Sequence, residues 1–163
     1  MNRYILDSNI FITAKAHYPM DMMPLFWERF LEKVKVYDIR IIEEVYDEIQ
    51  QQKDDLSIWL KENKKHFNVQ ETDREILRYY QVIINKMQNE KRIERKKMVQ
   101  KYNAAALEEL QEVSNADPFI VAHAMSHALS IVVTNEKYEK DIVRIVKIPN
   151  MCKKMNVKYI DFL

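Results

Sequence analysis

Two apolar runs in this chain stop on acids. Tyr4, Ile5 and Leu6 give way to Asp7, Ser8 and Asn9, and the β-branched run from Ser130 to Thr134 gives way to Asn135 and Glu136. A buried strand ending at a polar edge has this pattern, and a carboxylate held there is set to meet a cation. Asp117 stands before Pro118 at the head of an apolar stretch, and Glu48 sits at the border of an amphipathic one. The simpler reading of Asp7 and Asp117 is that each caps the helix that follows, because Asp, Ser and Asn are favoured N-caps.

The elements that must carry these acids follow from periodicity. Residues Ser8 to Ala16 suit a short helix before the break His17, Tyr18, Pro19. From Met20 to Val34, Met23, Phe26, Trp27, Phe30, Leu31 and Val34 recur at three and four, a helix with one buried face. A short strand over Val36 to Ile39 leads into a helix whose Ile41, Ile42, Val45, Tyr46 and Ile49 share one arc. On that wheel Glu48 lies about 90° from the apolar centre, whereas Glu43, Glu44 and Asp47 lie roughly 130° or more away. Glu48 is therefore the acid expected to be half-buried, with Glu44, one turn earlier, as second choice. Asp54 to Lys65 reads as a helix, and Thr72 with Glu75 forms a capping-box signature for another running towards Asn89. Asn103 to Val113 is a further helix. Asp117 before Pro118 opens one that is apolar almost all round and so buried. Ser130 to Thr134 suits an interior parallel strand; Val143 to Ile148 and Val157 to Ile160 read as two more. Pro149 to Met155 forms a short helix between them, with Cys152 facing the core.

Composition narrows the function classes. The chain has 163 residues, 47% of them hydrophobic, enough for one domain over 1–163 with one core. Glycine is absent, which removes the glycine-rich loops that cradle nucleotide phosphates. A single cysteine, no charged and apolar leader, and no apolar run of about 18 residues point to a cytoplasmic protein with no membrane partner. Net charge is only +1, so any nucleic-acid contact must be local. Between Lys86 and Lys101 seven basic residues face two acids. That stretch is either a solvated helical face or a phosphate-contacting arm in which Lys91, Arg92, Arg95, Lys96 and Lys97 meet RNA. His123 and His127, four apart, lack a third ligand and the intervening acid of a metalloprotease helix, which argues against zinc.

Strand-Asp7-Ser8-Asn9, Val45-Tyr46-Asp47-Glu48-Ile49, Ala116-Asp117-Pro118-Phe119-Ile120-Val121-Ala122 and Val133-Thr134-Asn135-Glu136, in this order, resemble the motif set of PIN domains. The closest likeness is to small prokaryotic PIN-like proteins related to VapC-type toxin ribonucleases. The resemblance covers nearly the whole chain, and it implies a three-layer α/β/α sandwich with a mostly parallel central sheet. A helix-rich insertion at about 54–112 is longer than in compact toxins. The resemblance further implies Mg²⁺ or Mn²⁺ held by Asp7, Glu48, Asp117 and Glu136, endoribonuclease activity, and an RNA substrate. A cognate antitoxin is the protein partner it brings, and it admits a homodimer. Glu136 departs from the family's usual Asp by one methylene.

The chemistry supports this assignment. Hard divalent cations select carboxylate oxygens, with one or two per Mg²⁺ and several waters retained. Acids gathered without a cation repel. Ligands bind outside the carboxyl ends of strands in open α/β sheets, where Asp7 and Glu136 are expected. Hydrolysis would use a water activated by the cation for in-line attack on the phosphodiester. Ser8, Asn9 and Thr134, with Glu44 and Asn135, would orient the carboxylates or the phosphate. Two rivals stand: a haloacid-dehalogenase-type phosphatase, which would want Asp where Asn9 stands, and a PIN-like scaffold that binds RNA or protein without cutting it.

Overall fold

The computed structural model describes residues 1–162; Leu163, the last position of the expected domain, lies outside the described residues. The hydrophobic sequence of Ile5 and Leu6 suits β1 (Arg3–Leu6) to an inner position in the sheet. It pairs in parallel with β2 (Asp38–Arg40) on one side and β5 (Ser130–Val133) on the other, and β6 (Lys158–Ile160) adds in parallel beyond β5. The four-stranded sheet therefore runs β2-β1-β5-β6.

Helices cover it in two groups, completing the three-layer α/β/α arrangement. One group is α1 (Ser8–His17), α2 (Pro24–Val36), α3 (Glu43–Gln51), α4 (Asp55–Asn63) and the 3-10 turn Lys64–His66. The other is α5 (Arg74–Gln88), α6 (Ala104–Leu110), α7 (Asp117–Met125) and α8 (Ile148–Met155). Aromatic rings fill the first: Phe11, Trp27, Phe30, Trp59 and Phe67 pack mostly edge-to-face at 5–6.3 Å. In the second, Tyr80 of α5 stacks on Phe119 of α7 at 4.5 Å. Helix α7 is buried on nearly every side, as its composition demands, and Cys152 lies in the core. Among the described residues no helix is long and apolar enough to cross a membrane.

Three expectations need correction. The basic stretch is not a helical face: it folds into an antiparallel hairpin, β3 (Lys91–Glu94) and β4 (Lys97–Gln100), so the middle of the chain is not purely helical. Ile93 lies opposite Met98 and Arg92 opposite Val99, a period-two pattern that the charge count concealed. Residues 143–147 do not form a strand, because β6 already occupies the sheet edge beside β5 and Ile148 is drawn into the first turn of α8 by Pro149. The cap of α5 is Asp73, which accepts from the Ile76 N–H at 2.9 Å, and not Thr72.

Phe67 is fully buried among Phe11, Phe30 and Trp59. Phe67→Ala is expected to cost about 3–5 kcal/mol, read from the urea midpoint at constant slope. A loss below about 1 kcal/mol would contradict this packing.

Candidate active site

The chain leaves β1 towards β2 on one side and returns to β5 on the other, which makes the gap between β1 and β5 a topological switch point. At its carboxyl end the Asp7 N–H donates to the Val133 carbonyl at 3.1 Å, and the Thr134 N–H donates to the Ile160 carbonyl at 3.1 Å. Backbone pairing thus sets Asp7 and Thr134 side by side.

Hydrogen bonds then fix the side chains. The Thr134 hydroxyl, 1% exposed, donates to Asp7 Oδ2 at 2.8 Å. Its oxygen accepts from Asn9 Nδ2 at 3.3 Å and from the Glu136 N–H at 3.2 Å. Asn9 Oδ1 accepts from the Asn135 N–H at 3.2 Å, closing the loop. The Ser8 hydroxyl lies between two acids, 3.4 Å from Asp7 Oδ1 and 3.0 Å from Glu48 Oε1. Its one hydrogen serves one carboxylate at a time. Glu136 Oε2 accepts from the Ile148 N–H at 2.8 Å at the start of α8, where an anion is favoured. Neither Asp7 nor Asp117 uses its side chain as a cap: Asp7 precedes α1 without a capping bond, and α7 is preceded by Ala116.

Electrostatics ties the four acids together. Burial, together with the nearby Glu136 and Glu48, pushes Asp7 up to about 6 despite the Thr134 hydrogen bond. Burial, then Asp7, Glu136, Glu48 and Glu109, push Asp117 up to about 8. Glu136 is raised by burial against the pull of the Ile148 N–H and Lys147. Among the described residues no lysine or arginine forms an ion pair with any of the four. Glu48 and Asp117 line one cleft of about 230 Å³ with Glu109, Asn115, Ile145 and Val146.

The other expected residues divide. Glu48 is half-buried, as the wheel required, while Glu43 and Asp47 face solvent. Glu44 is engaged elsewhere: Oε1 accepts from the Thr72 hydroxyl at 2.5 Å, whose oxygen lies 3.2 Å from His123 Nε2. Burial holds His123 down near 4, so it is neutral at pH 7. His127 lies beyond the end of α7, with Nδ1 accepting from the Leu129 N–H, and does not share a helical face with it. The Asn135 backbone joins the network, but its buried side-chain atoms have no partner among the described residues. Lys91, Arg92, Arg95, Lys96 and Lys97 lie on the hairpin, outside the acidic cleft.

Sequence reading missed three contributors. Asn115 Oδ1 accepts from the Asp117 N–H at 3.0 Å, and an Asn two places before a helix is a readable turn signal. Glu109 gave no sign beyond being one of two acids in Leu107–Leu110. The Ile148 N–H was hidden by the expected strand.

Oxygen-only donors from distant segments fit Mg²⁺ or Mn²⁺. Among the described residues no three acids, histidines or cysteines are grouped closely enough to hold a metal ion together. The fit is that of an ion using one or two carboxylates and keeping its waters.

A carboxyl whose pKa is raised on folding binds its proton more tightly in the folded chain. Its stabilising contribution is complete below the ordinary value of 3.8 and is lost as pH rises through about 6 for Asp7 and about 8 for Asp117. In EDTA, the melting temperature is expected to fall between about pH 4 and about pH 8, and Asp117→Asn to flatten that fall and raise stability at the alkaline end by about 1–3 kcal/mol. A wild-type profile that is level or rising across this window would refute the electrostatic account.

No curated protein and no solved structure matches the chain. Over residues 4–163 it matches the family described as Domain of unknown function (DUF4411), and the chain belongs to that family.

Proposed function

We propose that this chain is a PIN-like, Mg²⁺- or Mn²⁺-dependent endoribonuclease that hydrolyses phosphodiester bonds at the acidic cleft. The observation that carries the proposal is the gathering of mutually repelling acids from four separate segments at a strand switch point, none of them in an ion pair among the described residues. Such an arrangement destabilises the chain once the carboxyls ionise, unless a cation relieves it.

Of Asp7, Glu48, Asp117 and Glu136, one or two would hold the metal directly and the others would hold its waters. When bound, the ion would activate water and steady the charge that develops on the phosphate. The chain's own part is orientation. Thr134 pins one oxygen of Asp7, and Ser8 sets the spacing between Asp7 and Glu48. The Ile148 N–H tethers Glu136, which takes up the extra methylene of a Glu where the PIN motif it resembles has Asp. Asp117 has no side-chain hydrogen bond among the described residues, so its carboxylate stays available. Leu110, Ile145 and Val146 line the same cleft beside it. The resemblance supplies RNA as the substrate and a cognate antitoxin as the protein partner. A scaffold that binds without cutting is the competing reading, favoured by Glu136 in place of the usual Asp and by the Thr134 hydrogen bond that already occupies one oxygen of Asp7.

Labelled single-stranded RNA incubated with the protein and Mn²⁺ is expected to be cleaved. EDTA should abolish cleavage, and Asp7→Asn should lower it at least about a hundredfold. Cleavage that survives both changes overturns the proposal, and binding without cleavage establishes the scaffold.

A further inference from the structure

The β3–β4 hairpin concentrates the positive charge of the chain. Residues 86–101 carry seven basic side chains and two acids, an excess of five; the whole chain is +1, so the remainder is −4. Two of the cations are committed at the base. Lys101 pairs with Glu90 at 3.3 Å and lies over the buried Tyr102 ring, and Arg92 pairs with Glu94 at 2.8 Å. Lys91, Arg95, Lys96 and Lys97 are exposed with no ion pair among the described residues.

The tip is costly in conformation. Arg95 and Lys96 both have positive φ, 48° and 66°, as a two-residue type I′ turn requires and as Asn-Gly would satisfy with least strain. Beside the hairpin runs a groove lined by Lys91, Arg92 and Ile93 on one side and Tyr138, Lys140 and Ile142 on the other; the acids Glu90, paired with Lys101, and Asp141 also line it, so cations outnumber acids there four to two. Arg92 Nε is buried there without an acceptor among the described residues. The groove's second wall belongs to the same loop that begins at Glu136 and ends with Ile145 and Val146 lining the acidic cleft. One segment therefore borders both sites.

We propose that the hairpin and the 138–142 loop form a binding groove for single-stranded nucleic acid, an arm that holds the strand flanking the acidic cleft. That the strand is RNA rests on the endoribonuclease reading above. The cations match backbone phosphates, and the interleaved Ile93, Tyr138 and Ile142, with Met98 exposed beside Ile93, offer surface to unstacked bases. A duplex hides its base faces and gains nothing from that apolar surface.

The test is a binding measurement in EDTA, which needs no cleavage and so separates this inference from the nuclease proposal. Fluorescence anisotropy of a labelled single-stranded RNA is recorded over a salt series for the full chain and for Arg95→Asn/Lys96→Gly/Lys97→Ser. This variant removes three cations while installing the turn pair that folds most readily, and its melting temperature is expected to equal or exceed that of the parent. Binding should weaken at least tenfold at low salt, and the slope of log affinity against log salt should shrink by about 2, three contacts at about 0.7 each. Lys33→Ser/Lys35→Ser on α2 should leave the slope unchanged. An unaltered slope in the triple variant, equal affinity for the duplex of the same sequence, or binding to anionic vesicles in preference to the strand would each overturn the inference.

Discussion

The Thr134 hydroxyl has one hydrogen and two lone pairs, and all three are used: Asp7 accepts, Asn9 and the Glu136 backbone donate. This is the contact on which the acidic edge depends. Desolvation and like charge both work against an ionised Asp7, and the threonine supplies the main opposing hydrogen bond. The same oxygen positions the turn that carries Glu136, so two acids of the cluster share one support. Parallel pairing makes this possible, since it is the register of β1 on β5 that brings residues 7 and 134 together.

What was readable in the sequence had a direct local cause. A strand that stops on an acid shows in five residues, and the half-burial of Glu48 follows from helical geometry alone. The parallel sheet could be inferred because its inner strands are continuous apolar runs. What stayed hidden depended on competition between distant segments. The run at 143–147 has strand-like residues, but the edge it would join belongs to β6. The hairpin was masked because seven basic residues in sixteen speak for a solvated face whatever the backbone does, and its turn has none of the usual glycine or asparagine to announce it. Glu44 had the right helix and the wrong neighbour: Thr72, far along the chain, claims it.

Charge is divided sharply within a chain that is nearly neutral. The acids occupy a desolvated cleft where their repulsion is strong, and the free cations stand on an exposed ribbon where water screens them. Neither group neutralises the other. Lys147, whose charge draws Glu136 down, is itself paired with Glu139. The near-zero total therefore says little about the field that an approaching polyanion or metal ion would meet.

The lack of glycine reaches beyond the loops where it is noticed. An average chain of this length would carry roughly 11 glycines. Here the left-handed backbone positions fall to Lys53, Asn68, Arg95, Lys96 and Asn156. Each replaced glycine removes disorder from the denatured ensemble, worth about 0.4–1 kcal/mol where the native angles suit the new side chain. The steric cost of about 1–2 kcal/mol per residue is confined to the few sites where they do not. The denatured chain is thereby stiffer than its composition in other residues would suggest, and it has less freedom to surrender when the sheet closes.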